Sequence, residues 1–180
     1  MGSIQNQISQ SAFLCIDYLF HGAVAYRFLN HRRVNRVPEA YTKDRYLIST
    51  DPSKLDVGQI HEFLTTSYWA AGISREAVQK AIQNSLCFGI YCGSLQIGFA
   101  RVITDHVRIG YLADVFILEP YRGRGLCKWL MECIMAHPEL QKLTKWLLAT
   151  KDAHGLYEKY GFRTLAPTEI EMMMIREPDN

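Results

Sequence analysis

The stretch "DVFILEPYRGRGLCKWLMECIMAHP", Asp114 to Pro138, limits the folds open to this chain more than any other. An apolar run, Val115–Leu118, enters a turn where Gly123 and Gly125 alternate with Arg122 and Arg124, and a helical pattern follows without a break. Leu126, Leu130, Cys133, Ile134 and His137 recur on one face of that helix, which the spacing predicts over Gly123–Ala136, with Pro138 as its stop. The first turn of a helix exposes N–H groups that have no internal acceptor, and the helix dipole adds partial positive charge there. Glycines remove the side chains that would block an approaching anion. The junction therefore reads as a phosphate cradle with Arg122, Arg124 and Lys128 as a cationic rim. It is not a Walker loop, because G-x-x-x-x-G-K-[ST] is absent. Nor is it a dinucleotide fingerprint, since Lys128 stands where a third Gly or Ala is needed. A tight strand–helix turn with solvated arginines is the plainer alternative.

The elements around the junction are legible from periodicity. "RYLIST" (Arg45–Thr50) is a short β-branched and aromatic strand. Asp56 caps a helix over Val57–Thr66, with Val57, Ile60, Phe63 and Leu64 on one face. Ser74 opens a second helix whose buried stripe is Ala77, Val78, Ala81 and Ile82. The period then changes to two. Leu86–Tyr91 and Leu95–Ile103 form a hairpin through Gly93-Ser94, and Val107–Leu118 is a third strand after a turn at Asp105-His106. Beyond the long helix come a strand at Lys145–Thr150, a short helix at Asp152–Gly161 and a last strand at Ile170–Arg176. This order predicts a mixed α/β (α+β) domain, with helices packed on a mostly antiparallel central sheet.

Composition enters where partners are concerned. The chain's 180 residues are room for one domain with a real core, and its 48% hydrophobic and 21% charged residues are ordinary for a globular protein. A net charge of +2 argues for neither a nucleic-acid nor a membrane partner. Five cysteines without a C-x-x-C pair point to reduced thiols and a cytoplasmic setting, with no metal site. All the net charge lies in residues 1–42, where Arg27, Arg32, Arg33 and Arg36 face only Asp17 and Glu39. This N-terminal arm is expected to be helical or flexible, with the domain proper at 43–180. Its apolar segment Ala12–Leu29 is interrupted by Asp17, His21 and Arg27 and falls short of a stable membrane span. It lacks the positive region of a secretory signal and is only weakly like a transit peptide. Asn6 stands where a myristoylation signal wants Ser or Thr.

The passage "ILEPYRGRGLC" closely resembles the acetyl-CoA loop of the GNAT N-acetyltransferase superfamily, whose pattern is [QR]-x-x-G-x-[GA]. Arg122 and Gly125 fill the first two places, and Cys127 stands where Gly or Ala is usual. A second passage, "AHGLYEKYGF" (Ala153–Phe162), looks like the helix after that fold's fifth strand. The resemblance spans roughly Tyr46–Arg176 and excludes the arm. It implies an acetyl-CoA-dependent transfer of acetyl to a primary amine, by direct attack in a ternary complex. The strand Val115, Phe116, Ile117 would pair with the pantetheine arm. Gly123, Arg124, Gly125, Leu126, Cys127 and Lys128 would face the pyrophosphate, with Arg122 beside them. Thr150 would contact the cofactor or cap its strand. A homodimer is common in the family.

Acetyl transfer needs a neutral amine, a polarised carbonyl and a proton for the departing thiolate. Tyr157 matches the family's proton donor, and Tyr160, one turn on, reads as packing. The general base stays open between Asp114, which could instead pair with Arg101 or Arg108, His106, His154, and none. Tyr68 and Trp69, between the first two helices, are candidates for one wall of the acceptor site or for core. The acceptor is expected to be a small-molecule amine. A protein amine, a non-catalytic acyl-CoA-binding module and a nucleotide-phosphate binder are the rivals.

Overall fold

The computed structural model describes residues 37–165. The element order is β1 (Ala40–Lys43), β2 (Tyr46–Ser49), α1 (Val57–Thr65), α2 (Arg75–Gln83), β3 (Leu86–Cys92), β4 (Leu95–Thr104), β5 (Ile109–Ile117), α3 (Leu126–Ala136), β6 (Lys145–Leu148) and α4 (His154–Tyr157), with short 3-10 turns between. The strands form one sheet in sequence order. Every neighbouring pair is antiparallel except β5 with β6, which the α3 crossover makes parallel. The mixed, mostly antiparallel sheet expected from the pattern is the one observed.

Alternation along the strands gives the sheet two apolar faces. Leu86, Phe88 and Ile90 of β3 join Ile48, Val102 and Leu112 against α3, which buries Leu126, Leu130, Met131 and Ile134 there. The opposite face carries Cys87, Phe99 and Phe116, covered by Ile60 and Leu64 of α1 and Val78 and Ile82 of α2. Both covering helices begin as expected: Asp56 accepts from the Gln59 amide at 3.0 Å and Ser74 from that of Ala77 at 3.2 Å.

Several boundaries move. The compact unit that holds the sheet begins at Val37, and β1 pairs Ala40 with Ser49 through Lys43 with Tyr46, so residues 40–42 belong to the sheet and not to the arm. Helix α3 starts at Leu126 rather than Gly123, because Gly123 and Gly125 both hold φ of 74° and cannot continue a right-handed turn. Strand β5 starts at Ile109 rather than Val107, because the Asp105 carboxylate gathers the amides of Val107, Arg108 and Ile109 into the preceding turn. The helix expected at Asp152–Gly161 is one α turn followed by a 3-10 turn, ended by Gly161 at φ 86°. The strand expected at Ile170–Arg176 and residues 1–36 of the arm lie outside the described residues.

The feature that places a site is a mismatch in length. Pairing between β5 and β6 ends at Leu112 with Leu148, while β5 runs on to Ile117. Where the two part, β5 carries a bulge. Its register against β4 shifts between Phe99 and Arg101, and Asp114 adopts φ of 53°. A non-glycine residue held there costs on the order of 1–3 kcal/mol, which the surrounding contacts must offset. Asp114 is fixed by an ion pair with the Arg101 guanidinium, whose Nη1 also donates to Ser85 Oγ at 3.2 Å.

Candidate active site

Beyond the bulge, one edge of β5 is hydrogen-bonded to β4 and the other is open. The Leu118 amide donates to the Ile97 carbonyl at 2.8 Å, so alternation points the Phe116 backbone at β4 as well. Phe116 therefore cannot join Val115 and Ile117 in pairing with a ligand chain; its ring instead stacks on Phe63 at 3.9 Å. The Val115 carbonyl and the Ile117 backbone face the opening. There the Ile117 carbonyl accepts from Arg122 Nε at 2.9 Å, which ties the following turn to the strand end.

That turn leaves a run of free donors. Trp129 is the first amide of α3 bonded back to the loop, to the Gly125 carbonyl at 3.0 Å. Among the described residues no acceptor meets the amides of Gly123, Arg124, Gly125, Leu126, Cys127 or Lys128, and the helix has no side-chain cap. A Cβ placed on Gly123 or Gly125 would meet nothing within 4 Å, so the space over these amides is open. Six consecutive donors under open space, at the positive end of an eleven-residue helix, can hold a diphosphate. The cationic rim is more engaged than its composition implied. Arg122 is bound to Ile117, Arg124 turns back to Tyr46 and Pro120, and Lys128 Nζ stands 4.0 Å from Glu132. Cys127 packs partly buried against the main core, where burial pushes its thiol up and away from nucleophilic use.

On the opposite bank Thr150 Oγ1 accepts from the Ala153 amide at 3.1 Å, closing the turn that leads into α4, which has no side-chain cap of its own. Tyr157 follows on that helix, 8% exposed, and its hydroxyl has no hydrogen-bond partner among the described residues. Burial raises its pKa above the usual tyrosine range, with Cys127, Tyr68 and Asp152 adding to the shift. Tyr157 packs in the same apolar cluster as the cradle residue Cys127. Tyr160 differs, since its hydroxyl donates to the Lys128 carbonyl at 2.9 Å and ties α4 to α3. A cavity of about 720 Å³ runs along β6 and α4, with Trp146, Thr150, His154, Tyr157 and Phe162 among its described walls.

Tyr68 and Trp69 are largely exposed, at 57% and 42%, so neither belongs to the core. The Tyr68 hydroxyl accepts from the Lys151 amide at 3.0 Å, joining the α1–α2 loop to the β6–α4 loop. Beside them a smaller groove of about 380 Å³ lies between α1 and Leu118, lined by Gln59, Glu62, Phe63 and Thr66. Of the candidate bases, Asp114 is committed to Arg101. His106 pairs with Glu139 at 3.2 Å in the turn before β5, separated from the opening by the length of a strand, about 27 Å at the usual rise. His154, exposed and three residues before Tyr157, is the one at the mouth. Two residues were missed by the pattern, Tyr46 and Lys151. Their partners lie 78 and 83 positions away, and no local signal marks such pairs.

Comparison with known proteins follows the same lines. The family model described as an acetyltransferase (GNAT) domain matches residues 83–164, from the end of α2 past α4. A Gibberella zeae protein named "Putative acetyltransferase FG08082" is 32% identical over 146 residues, covering 68% of this chain and 81% of that one. A crystal structure from Xanthomonas campestris pv. campestris, assigned to the GNAT family, is 47% identical with a TM-score of 0.69, covering 76% of this chain and 95% of that one. A Clostridium acetobutylicum structure of an acetyltransferase with acetyl-CoA shares the fold at 15% identity and a TM-score of 0.53, over 72% of this chain and 94% of that one. No described helix is long and apolar enough to cross a membrane, and no described cluster of His, Cys, Asp or Glu could hold a metal. With the splayed strands, the uncapped amide run and these relatives in agreement, the chain belongs to the GNAT acetyltransferase family.

Proposed function

We propose that this protein transfers acetyl from acetyl-CoA to a primary amine, by direct attack within a ternary complex. The observation that carries the reading is the convergence of three features at one opening that no described residue fills: the free edge of β5, the six uncapped amides and the Tyr157 hydroxyl. The acetyl-CoA held by the Clostridium acetobutylicum relative supports the cofactor class. Bound, acetyl-CoA supplies an acyl carbon for the amine to attack and a thiolate that leaves. The amides of Gly123 to Lys128 hold the diphosphate, and the Val115 carbonyl and Ile117 amide hold the pantetheine arm as a further strand would. Tyr157, kept protonated by burial, gives its proton to the departing sulfur and recovers it from solvent. The amine sheds its own proton to His154 or to water. Tyr68 and Trp69 form a wall of the acceptor site, and the groove beside Phe63 suits a small amine better than a polypeptide.

The test is binding first and turnover second. CoA, acetyl-CoA and ATP are added separately to the full chain, and a ligand at 100 times its Kd should raise stability by about 2.7 kcal/mol. Stabilisation by ATP but not by CoA would replace this reading with a nucleotide-phosphate binder. An amine library scored by release of free CoA thiol then finds the acceptor, and binding without turnover of any amine would leave a sensor.

A further inference from the structure

Arg124 belongs to the cradle through its backbone, but its side chain serves another place. Its Nη1 donates to the Tyr46 hydroxyl at 3.3 Å and its Nη2 to the Pro120 carbonyl at 3.0 Å. The guanidinium also lies over the Tyr121 ring, 5.5 Å from its centre. From the turn between β1 and β2, Arg45 Nη2 donates to the same Tyr46 hydroxyl at 3.4 Å and stands 5.4 Å from that ring's centre. One phenol oxygen thus gathers two guanidiniums from segments far apart in sequence. Among the described residues no carboxylate pairs with either. The described ion pairs go to Arg101, His106 and Lys128, while Asp44 and Glu119, the acids nearest in sequence, reach neither arginine. The phenol registers the field, its pKa lowered below the usual tyrosine value by Arg45 first and then Arg124.

Two like charges turned toward one neutral oxygen repel each other, and a dianion between them relieves that repulsion. Both forks retain N–H groups for it, since neither arginine spends more than two of its five donors on the protein. We propose that Arg45 and Arg124, gathered on Tyr46, form the binding site for the 3′-phosphate of coenzyme A. The inference rests on the acyl-CoA reading above. A coenzyme whose diphosphate lies on the Gly123–Lys128 amides has one further anionic group, a ribose phosphate monoester with nearly two negative charges at neutral pH. The residue that links the two anion sites is Arg124, by its amide in one and its side chain in the other.

The experiment compares CoA with 3′-dephospho-CoA by calorimetry on the full chain, as wild type, Arg45→Ala and Tyr46→Phe. Wild type should bind CoA roughly tenfold more tightly than dephospho-CoA, the scale of one charge-assisted pair. Arg45→Ala should lose most of that difference while its affinity for dephospho-CoA stays within about twofold, which also shows that it folds. Tyr46→Phe should lose part of it, because the arginines are no longer held together. The wild-type difference should shrink between 50 and 500 mM salt. A wild type that binds both ligands equally, or an Arg45→Ala that weakens both by the same factor, overturns the assignment and leaves Arg45 as a strut between two turns. A wild type that binds neither ligand removes the acyl-CoA reading, and this inference with it.

Discussion

Consider Tyr157→Phe beside Tyr160→Phe, two variants that each delete one oxygen from α4 and the turn that continues it. The Tyr157 hydroxyl bonds to no described group, so its loss removes no internal hydrogen bond and relieves a polar atom held in a mostly buried ring. Stability should stay within about 0.5 kcal/mol of wild type, with any change in the favourable direction. The Tyr160 hydroxyl holds the Lys128 carbonyl at 2.9 Å, and its loss should cost about 1 kcal/mol, or roughly 2–4 °C in Tm for a chain of this size. Catalysis should sort the other way. A thiolate has a pKa of about 8.5 and can leave unaided, but slowly in a dry site. Tyr157→Phe should therefore lower kcat at least roughly tenfold with little change in acetyl-CoA affinity, and Tyr160→Phe should leave kcat within about threefold. Initial rates of CoA thiol release at saturating acetyl-CoA give the first quantity and scanning calorimetry the second. Equal, small effects on rate would mean that neither phenol is the acid. A larger loss at Tyr160 would move the site one turn along.

Gly125→Val should weaken CoA binding at least roughly tenfold by calorimetry, with a stability loss of about 1–3 kcal/mol from placing a branched residue at φ 74°; a stability loss with unchanged affinity would remove the diphosphate from the loop. Arg101→Ala should destabilise by about 2 kcal/mol by stranding the mostly buried Asp114, and Asp114→Asn in the same chain should recover part of it; full additivity would show that the pair is not coupled. A chain starting at Val37 should fold and bind acetyl-CoA, whereas one starting at Tyr46 loses β1 and should melt earlier by circular dichroism; an insoluble Val37 chain would place the arm in the core. For pH, Tyr157 and Tyr91 have folded pKa values raised by burial, so their stability contribution is complete below about pH 10 and is lost as pH climbs above it. Asp105, lowered to about 2 by the amides of Ile109, Arg108 and Val107, has the opposite sign. Its contribution is present above the ordinary carboxylate pKa of about 3.9 and fades as pH falls toward 2, which amide exchange in the β4–β5 turn would report.

What the pattern carried and what it missed have separate physical causes. Helices α1 and α2, the β3–β4 hairpin and α3 were legible because burial on one side imposes a period and caps mark the ends, as at Asp56 and Ser74. Strand β1 was not, because it lies at the sheet's edge with Ala40, Thr42 and Lys43 exposed, and no alternation survives there. The glycine turn was legible through local chemistry alone as an uncapped helix start. Its neighbours were not: the bulge at Asp114 arises from a register shift against β4, and Tyr46 reaches Arg124 only after the chain has folded. Side-chain roles split similarly, since the bond from the Ala153 amide to Thr150 Oγ1 in the turn before α4 has no mark in the local pattern.

The sheet also works as a partition. The cradle helix α3 rests on one face, while α1 and α2, with the aromatic loop between them, rest on the other. Along β5 the two sides alternate, so Ile117 belongs to the α3 face and Phe116, stacked on Phe63, to the face that α1 and α2 cover. Substitutions in α1, α2 or their loop can therefore reshape what is accepted without touching a residue that packs under the diphosphate. On the proposed function, a drifting lineage of such chains would exchange one amine for another while its coenzyme grip stayed constant. The exception is Phe116, where a change of ring size shifts β5, a strand that packs against both sides.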